Sequence, residues 1–318
     1  MKPYLRLLSF VKVNKSLSEL NSIFEELEIL AEKYNATNFM LSNEYKVNNI
    51  VISLNHADER NREFVDHANK LNPIIVYSDD YKKPGKPKIK VTSNSSILKP
   101  RNIDYIVFGG DGIYTRGFIM YICTASFWVR TTNLSTYLVS AGHCAINGSV
   151  DFYHLPWDSE ISDVYIGSMV SYTTSGVDRG FILKQNDSIS VHPIIRNTED
   201  QEHPVLYIIG TTDLDVGSID TLVCKSGYSG FRHVECAKVL AVNVTVKMGD
   251  QRYGGVVKVD HMGCDGNSGA PVYQYLEELL PNVLLVGMLM GGNNIFCVVV
   301  PIKLILTEDM HVITINDP

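Results

Sequence analysis

Two short motifs place polar side chains among small residues, as a nucleophile and its base require. One is SAGHC, residues 140–144, in which His143 follows an apolar run and precedes a cysteine. The other is GNSGAP, residues 266–271, which holds Ser268 between two glycines. A hydroxyl is a poor nucleophile at neutral pH, so it needs a base within hydrogen-bond reach. The two motifs predict acyl-transfer chemistry, with Ser268 as nucleophile and His143 as base.

The base needs a third group that orients it, and Asp178 is the candidate. It lies in SGVDRGFILKQ, where it opens an apolar strand and can be buried against an imidazole. A lone histidine beside a cysteine, or an aspartate before a strand, is more often structural than catalytic. The chain order His, Asp, Ser supports a catalytic role for these three residues, because the classes of serine hydrolase differ in this order. An α/β-hydrolase is excluded, since residues 266–270 read GNSGA rather than GxSxG.

The same loop offers main-chain donors for a developing oxyanion. The N–H groups of Gly266 and Ser268 are the candidates, because glycine lets the backbone turn inward without a Cβ clash. This chemistry requires no cofactor or metal ion. The six cysteines have no zinc-like spacing, and their even number indicates disulfides, for which the sequence alone allows 15 pairings.

The region that carries these motifs has the texture of an all-β protein. From Asp104 onward, short β-branched and aromatic runs alternate with turn residues at fairly regular intervals. Residues 104–318 therefore predict one unit of two small β-barrels packed together. No internal repeat is strong enough to demonstrate two barrels.

The residues before this region predict a small α/β domain and a linker. Residues 16–34 place apolar side chains at helical spacing, with Ser16 or Ser18 as N-cap, and strand, helix and strand patterns follow. Together they predict an α/β domain over residues 1–78. Residues 79–103, rich in Lys, Pro and Ser, read as an exposed linker, and its lysines are most simply a solvated face.

Composition narrows the class of protein. An apolar fraction of 45% and a charged fraction of 20% are those of a globular chain, and the net charge of −7 argues against a nucleic-acid partner. Residues 1–103 carry 16 Lys and Arg against 12 Asp and Glu, so they are +4 and the rest is −11. No apolar stretch reaches the roughly 18 residues that a membrane span needs.

Cysteines and glycosylation signals point to a secretory route. Seven Asn-x-Ser/Thr sequons are present, at Asn14, Asn35, Asn94, Asn133, Asn147, Asn186 and Asn243. Arg6 interrupts the short apolar run at the N-terminus and no small-residue cleavage site follows, so a signal peptide is not evident. A secreted, glycosylated protein is the expectation.

Several ordered motifs resemble those of chymotrypsin-like serine proteases. SAGHC is similar to their TAAHC or TAGHC histidine motif, and GNSGAP to their GDSGGP serine motif. Similar features run from GGDGIY at 109–114 through VCKSGYSGFRHVEC to GGNNIFC, about two thirds of the chain. The resemblance is greatest to the streptogrisin and alpha-lytic protease branch, whose members are made with a folding-assisting propeptide.

The resemblance implies a mainly β fold of two packed six-stranded antiparallel barrels after a small α/β domain, and roles for individual residues. His143 would be the base, Asp178 its orienting partner and Ser268 the nucleophile, with Gly266 and Ser268 forming the oxyanion hole. Residues 1–78 would be an intramolecular propeptide, and the mature protein a monomer acting on proteins or peptides. The implied disulfides are Cys123 with Cys144, Cys224 with Cys236 and Cys264 with Cys297.

Three positions depart from the family pattern. Asn267 stands where an aspartate is usual, and Lys225 where the bacterial branch has its arginine partner. An Asn and a Lys cannot form the bidentate Arg–carboxylate contact, so activation by an inserted N-terminus is not expected. Met290 replaces a serine that supports the catalytic aspartate, which removes one hydrogen bond, and Ala270 replaces the second glycine of the motif.

The alignment of motifs also locates a substrate pocket. Met262 and Gly263 fall toward its base, and Gly291 and Gly292 along its wall. No acid falls at the base position, so an apolar residue is expected before the scissile bond. Asp265, near the entrance, is the one feature that could bias this preference.

The sequence thus favours a secreted serine endopeptidase made as a zymogen, with processing near Arg101. Cleavage at Lys82-Lys83 is disfavoured by the Pro84 that follows. The alternative is a catalytically silent homologue that uses the same barrels for binding. Asn267 and Met290 are its only support, because all three triad residues are present.

Overall fold

The computed structural model describes residues 12–55, 58–78, 104–116, 120–145, 150–158, 162–229 and 232–317. The predicted linker, residues 79–103, and the processing site near Arg101 lie outside these residues. None of the helices in the described segments is long and apolar enough to cross a membrane.

The N-terminal region begins with the expected helix. Ser16 is its N-cap: the Ser16 hydroxyl accepts from the Glu19 main-chain N–H, and the Glu19 carboxylate accepts from the Ser16 N–H, which completes a capping box. Two helices lie on one face of a three-stranded sheet. The elements are α1 Leu17–Lys33, β1 Phe39–Glu44, β2 Asn49–Asn55, α2 Arg62–Ala68 and β3 Ile74–Ser78.

The two faces of this sheet pack against different hydrophobic cores. Phe39, Leu41, Ile50 and Ile52 point toward α1 and α2 and form a core with Leu27 of α1. The opposite face of β1 contributes Met40, whose side chain belongs to the core of the barrels. Because β1 is covered on both faces, it has none of the polar alternation that marks a half-buried strand, and the sequence reasoning did not find it.

The first barrel is an eight-stranded sheet. Its strands are β5 Gly112–Thr115, β6 Tyr121–Thr124, β7 Trp128–Thr131, β8 Thr136–Ser140, β9 Asp151–Leu155, β10 Tyr165–Ser175, β11 Val177–Leu183 and β21 Met310–Val312. They pair in the order β21-β7-β8-β11-β10-β9-β5-β6. Two strands beyond the expected six arise because residues 125–127 separate β6 from β7 and because β21, near the end of the chain, returns to pair with β7.

The second barrel closes as a ring of six strands in the order β15-β16-β17-β20-β19-β18, with β18 pairing again with β15. Its strands are β15 Leu222–Ser226, β16 Val234–Met248, β17 Gln251–Asp260, β18 Pro271–Tyr275, β19 Asn282–Gly292 and β20 Phe296–Pro301. The remaining elements are β4 Tyr105–Ile106, β12 Ile189–Ser190, β13 Ile194–Arg196, β14 Val205–Thr211 and α3 Ile302–Ile305.

Strand β1 joins the N-terminal region to the second barrel. It pairs antiparallel with β16, with Met40 opposite Val246 and Leu41 opposite Thr245. A single sheet therefore runs from β3 through β2 and β1 into the second barrel. The predicted architecture, two packed barrels preceded by a small α/β region, is confirmed, and the N-terminal region adds a strand to the second barrel.

Candidate active site

The base candidate His143 lies in a short 3₁₀ turn, Gly142–Cys144, directly after β8. The turn rests on the hairpin of β10 and β11. A side chain at Gly142 would collide with the carbonyl oxygens of Thr173 and Arg179, so this close approach requires glycine. The His143 side chain remains 31% exposed, which leaves one edge of the imidazole accessible.

Asp178 is the second residue of β11 and is almost fully buried. Its Oδ2 lies 2.5 Å from His143 Nδ1, and its Oδ1 accepts the main-chain N–H of His143 at 3.0 Å. The two contacts fix the position and the ring orientation of the imidazole together. With Nδ1–H bound to the carboxylate, Nε2 is free to accept a proton.

The pair also sets the affinity of His143 for a proton. Burial lowers the pKa of His143, but the hydrogen bond and the attraction from Asp178 together outweigh it, and the net pKa is raised above the ordinary value of 6.5. An imidazole with a raised pKa is a stronger base when neutral. As the pH is lowered, His143 therefore becomes protonated, and stops acting as a base, at a higher pH than a free histidine does.

The nucleophile candidate Ser268 lies in the loop between β17 and β18. Its carbonyl accepts the Thr124 N–H at 2.8 Å, and its hydroxyl donates to the Met290 carbonyl at 3.4 Å. The following Gly269 contacts Ser140 and Ala141, which end β8 just before His143. The structure therefore brings the serine loop against the histidine turn across the cleft between the barrels.

Two glycines with left-handed backbone lie close to the predicted oxyanion donors, Gly266 and Ser268. Gly266 and Gly269, on either side of the nucleophile, have φ values of +76° and +90°, in the left-handed region that favours glycine. Within the described part of the chain, neither Gly266 N–H nor Ser268 N–H donates to a protein acceptor. Two unpaired donors beside a nucleophile can stabilise an oxyanion.

Asn267 is held by hydrogen bonds rather than by an ion pair. Its Nδ2 donates to the carbonyls of Ser229 and Gly263 at 2.8 Å and 2.6 Å, and its Oδ1 accepts the Ser229 N–H at 2.7 Å. Lys225, where the family pattern has arginine, is buried and pairs with Glu235 at 3.3 Å. Burial lowers the pKa of Lys225 against the opposing effect of Glu235.

The predicted pocket residues fall in three environments. The Met262 side chain packs in the core of the second barrel, whereas Gly291 faces open space. Gly292 lies against the Cys264–Cys297 disulfide. The Glu235 carboxylate contacts Gly263, so an acid does lie beside the predicted base of the pocket. Sequence reasoning missed Glu235 because it is distant in the sequence and becomes a neighbour only through the pairing of β15 with β16.

The cysteines form three disulfides: Cys123–Cys144, Cys224–Cys236 and Cys264–Cys297. These are the pairs that the resemblance implied. The first braces the histidine turn, and the third ties the serine loop to β20. The only described cluster with metal-ligand geometry consists of His143 with Cys123 and Cys144, whose sulfurs are in a disulfide and supply no thiolate.

A second polar cluster, also missed, lies between the barrels. Asp111, the residue before β5, accepts from Arg196 at 2.6 Å and lies 2.9 Å from His154 Nε2. Nearby, Ser226 Oγ lies 2.8 Å from Nε2 of His233. Scattered single histidines and an aspartate carry no sequence motif, so only the three-dimensional contacts reveal this cluster.

Fold and site together define a chymotrypsin-like double β-barrel with a histidine, an aspartate and a serine at the cleft. Comparison with solved structures gives the same fold. Thermobifida fusca protease A shares 20% identity over 66% of this chain and all of its own, with a TM-score of 0.52. Nocardiopsis protease (NAPase) shares 18% identity over the same fractions, with a TM-score of 0.51. No family model and no curated protein matches the sequence.

Proposed function

We propose that this protein is a serine endopeptidase that cleaves peptide bonds through Ser268, His143 and Asp178. The observation that carries the proposal is the 2.5 Å contact between His143 Nδ1 and a buried Asp178 carboxylate, with the serine loop packed against the histidine turn. A buried carboxylate held on an imidazole at the mouth of a cleft is the arrangement that activates a hydroxyl nucleophile.

The proposed reaction forms an acyl-enzyme and then hydrolyses it. Ser268 Oγ attacks the carbonyl carbon of the substrate, and His143 Nε2 accepts the hydroxyl proton. The oxyanion binds the N–H groups of Gly266 and Ser268. The tetrahedral intermediate then collapses, the amine leaves with the proton from His143, and an acyl-enzyme remains. Water repeats the sequence: His143 removes its proton, the acyl group leaves as an acid, and Ser268 recovers its proton.

The charges near Gly263 support a preference for an apolar residue before the scissile bond. Glu235 beside Gly263 supplies a negative charge, but Lys225 lies 3.3 Å from the same carboxylate. The pair is neutral as a unit and is already bonded, so it offers little attraction for a charged substrate side chain. The open space at Gly291 admits a substrate chain along β19.

The N-terminal region is proposed as a propeptide that stays docked on the second barrel until it is removed. Besides the β1–β16 pairing, ion pairs join Glu28 to Arg252 and Glu44 to Lys258. Processing near Arg101 would release the region, and N-terminal sequencing of the active protein tests this. An intact chain of full length with full activity would overturn the zymogen proposal.

A secreted location is part of the proposal. Three disulfides and no free cysteine among the described residues suit an oxidising compartment. The sequon residues Asn14, Asn35, Asn133 and Asn243 are exposed and are open to glycosylation on that route.

A fluorophosphonate probe tests the enzyme proposal directly. The probe forms a covalent bond with an activated serine, so the wild-type protein is expected to be labelled and Ser268→Ala is not. Turnover of a peptide substrate is expected to fall by about three orders of magnitude or more in Ser268→Ala, with the fold intact. An exposed serine on β10 that belongs to no sequon, Ser171, gives the matched control Ser171→Ala.

The same experiment separates the enzyme from the silent homologue. Mature wild-type protein that takes up no probe, while circular dichroism shows it to be folded, would indicate a binding protein built on the protease fold. Labelling that survives in Ser268→Ala would show that another residue is the nucleophile.

A further inference from the structure

The hairpin that carries Asp178 belongs to the first barrel but is held by the second. The Tyr253 hydroxyl on β17 donates to the carbonyl of Thr174 at 2.8 Å. Thr174 lies directly opposite Asp178 in the β10–β11 pair. At the turn of the hairpin, the Gly176 N–H donates to the Arg252 carbonyl at 2.8 Å. Two adjacent residues of β17 thus fix the turn beside the aspartate.

A third contact holds the other side of the hairpin. Arg179 follows Asp178, and its guanidinium donates to the carbonyls of Leu304 and Ile305 at 2.8 Å each. These carbonyls belong to the end of α3, which packs on the second barrel. The aspartate therefore lies between contacts from two elements, and its position depends on how the barrels meet.

Tyr253 is suited to act as a fixed donor. Only 5% of the residue is exposed. Burial is the main cause that raises the pKa of Tyr253 to about 12, and the negative charge of Asp178 adds to it. The hydroxyl therefore keeps its proton over the whole physiological range, and its bond to Thr174 persists.

Arg252 connects this contact to the N-terminal region. Its Nη2 donates to Glu28 Oε1 on α1 at 2.6 Å, and the same carboxylate oxygen accepts from the Thr245 hydroxyl at 2.6 Å. Thr245 in turn lies opposite Leu41 in the β1–β16 pair. The side chain of Arg252 is thus bound to α1 while its carbonyl binds the turn near Asp178.

We propose that Tyr253 is a positioning residue for Asp178, and that the N-terminal region steadies the same turn through Glu28 and Arg252. The inference rests on the proposed function. The bonds described for the Asp178 carboxylate are both with His143, so the backbone of the hairpin sets where the carboxylate lies. It follows that the His143–Asp178 pair is already formed while the N-terminal region is attached, so the full chain is expected to react with a small fluorophosphonate although action on proteins awaits processing.

The first test compares two tyrosines in the full chain. Tyr253→Phe removes only the hydroxyl that binds Thr174. Tyr114→Phe is the matched control, because the buried Tyr114 hydroxyl also donates to a main-chain carbonyl, that of Ser162, away from the triad. We expect Tyr253→Phe to react about tenfold more slowly with a fluorophosphonate, since small displacements of catalytic groups are costly. The control should react at the wild-type rate.

The pH profile separates positioning from a general loss of stability. The raised pKa of His143 depends on Asp178, so a displaced carboxylate should move the acid limb of the reaction rate to lower pH in Tyr253→Phe. A variant that is merely less stable would lose amplitude without moving this limb. Proton NMR of the His143 Nδ1–H resonance reports the same contact and needs no catalytic activity.

The second test compares two carboxylates of the N-terminal region. Glu28→Ala removes the partner of Arg252, whereas Glu44→Ala removes an equivalent ion pair with Lys258, six residues farther along β17. We expect only Glu28→Ala to slow labelling and to perturb the Nδ1–H resonance. Equal behaviour of the two variants would overturn the role of the N-terminal region.

The outcomes also separate this inference from the proposed function. If the wild-type chain reacts with the probe and Tyr253→Phe reacts at the same rate with the same pH profile, the positioning role is wrong and the protease assignment stands. If neither the full chain nor the mature protein reacts, the protease assignment fails, and the Nδ1–H resonance alone decides whether Tyr253 holds the aspartate.

Discussion

At the scale of single residues, Asn267 shows how the nucleophile loop is held without a charge. Its amide makes three hydrogen bonds, to Ser229 and Gly263, and is almost fully buried. Two of them are donated by Nδ2, which a carboxylate could not do. The side chain next to Ser268, the proposed nucleophile, is therefore ordered without an inserted N-terminus.

Replacing the Asn267 amide should lower both the stability of the protein and the rate of labelling. In Asn267→Asp a carboxylate oxygen would face the carbonyls of Ser229 and Gly263. The buried charge would keep only the Ser229 N–H, because Lys225 already pairs with Glu235. We expect the free energy of unfolding to fall by about 1 to 3 kcal/mol or more, and labelling by a fluorophosphonate to slow. The loss should ease at low pH, where the acid regains a proton to donate. Urea unfolding measured across pH checks this.

Asn197→Asp is the control for Asn267→Asp. Asn197 is also buried, and its Nδ2 donates to the His203 carbonyl at 2.8 Å, on the connection between the barrels. That variant should lose stability but keep the wild-type labelling rate per folded molecule. If both variants label equally well, Asn267 has no specific role beside the nucleophile.

At the scale of elements, the site depends on a turn that lies unusually close to a hairpin. Gly142 approaches the backbone of β10 and β11 where no Cβ fits, and this contact places His143 beside Asp178. The Cys123–Cys144 disulfide holds the same turn from its other side. The geometry of the pair is therefore a property of two elements in contact.

Gly142→Ala should separate the turn from the hairpin. The added methyl would meet the carbonyl oxygens of Thr173 and Arg179, which are backbone atoms and cannot move alone. We expect labelling to fall by about a hundredfold because the imidazole is displaced. Labelling kinetics and thermal unfolding measure the two effects.

Gly254→Ala is the matched control, since no atom lies within 4 Å of a Cβ at that position on β17. It should label like the wild type. Wild-type labelling of Gly142→Ala would contradict the view that this contact positions the base.

The elements also show what the sequence could predict. The capping box at Ser16 and the apolar period of α1 are local signals, and so are the motifs around His143 and Ser268. Strand β1 has no such signal, because it is buried on both faces and its side chains do not alternate between polar and apolar. The role of Tyr253 could not be predicted from the sequence either, since Tyr253 and its partner Thr174 are 79 residues apart in the chain.

At the scale of the whole molecule, a buried ionic cluster lies where the barrels meet. Asp111 comes from the first barrel, Arg196 from the connection, and His233 from the segment before β16. Burial lowers the pKa of His233 to about 4, and the charges of Arg196 and Lys225 add to this against the pull of Asp111. Folding therefore requires a neutral His233.

Acid should weaken the protein through this group. The unfolded chain binds a proton on His233 near pH 6.5, whereas the folded chain does so only near pH 4, so stability is lost as the pH falls through that window. The loss has an upper bound of about 3 kcal/mol for one group. The pKa of Asp111 is also lowered, despite its burial, by His154 and Arg196, so its contribution is lost in still stronger acid.

Urea unfolding at neutral pH and at about pH 4 tests the role of His233. His233→Gln should flatten the decline between the two conditions, because it removes the titrating group. His311→Gln, at a half-exposed histidine, should leave the decline unchanged. A decline as steep in His233→Gln as in the wild type would assign the acid sensitivity elsewhere.

Removal of β1 with the N-terminal region would lower the solubility of the protein. The outer edge of β16 around Thr245 and Val246 is paired only with β1, because β17 occupies its other edge. Removal of the N-terminal region would leave a row of unpaired N–H and C=O groups, next to the apolar surface that Met40 covers. An open β-edge of this kind is a template for pairing with another chain. Loss of the N-terminal region would therefore move the open edge of this sheet from β3 to β16, and the protein would aggregate more readily as its concentration rises.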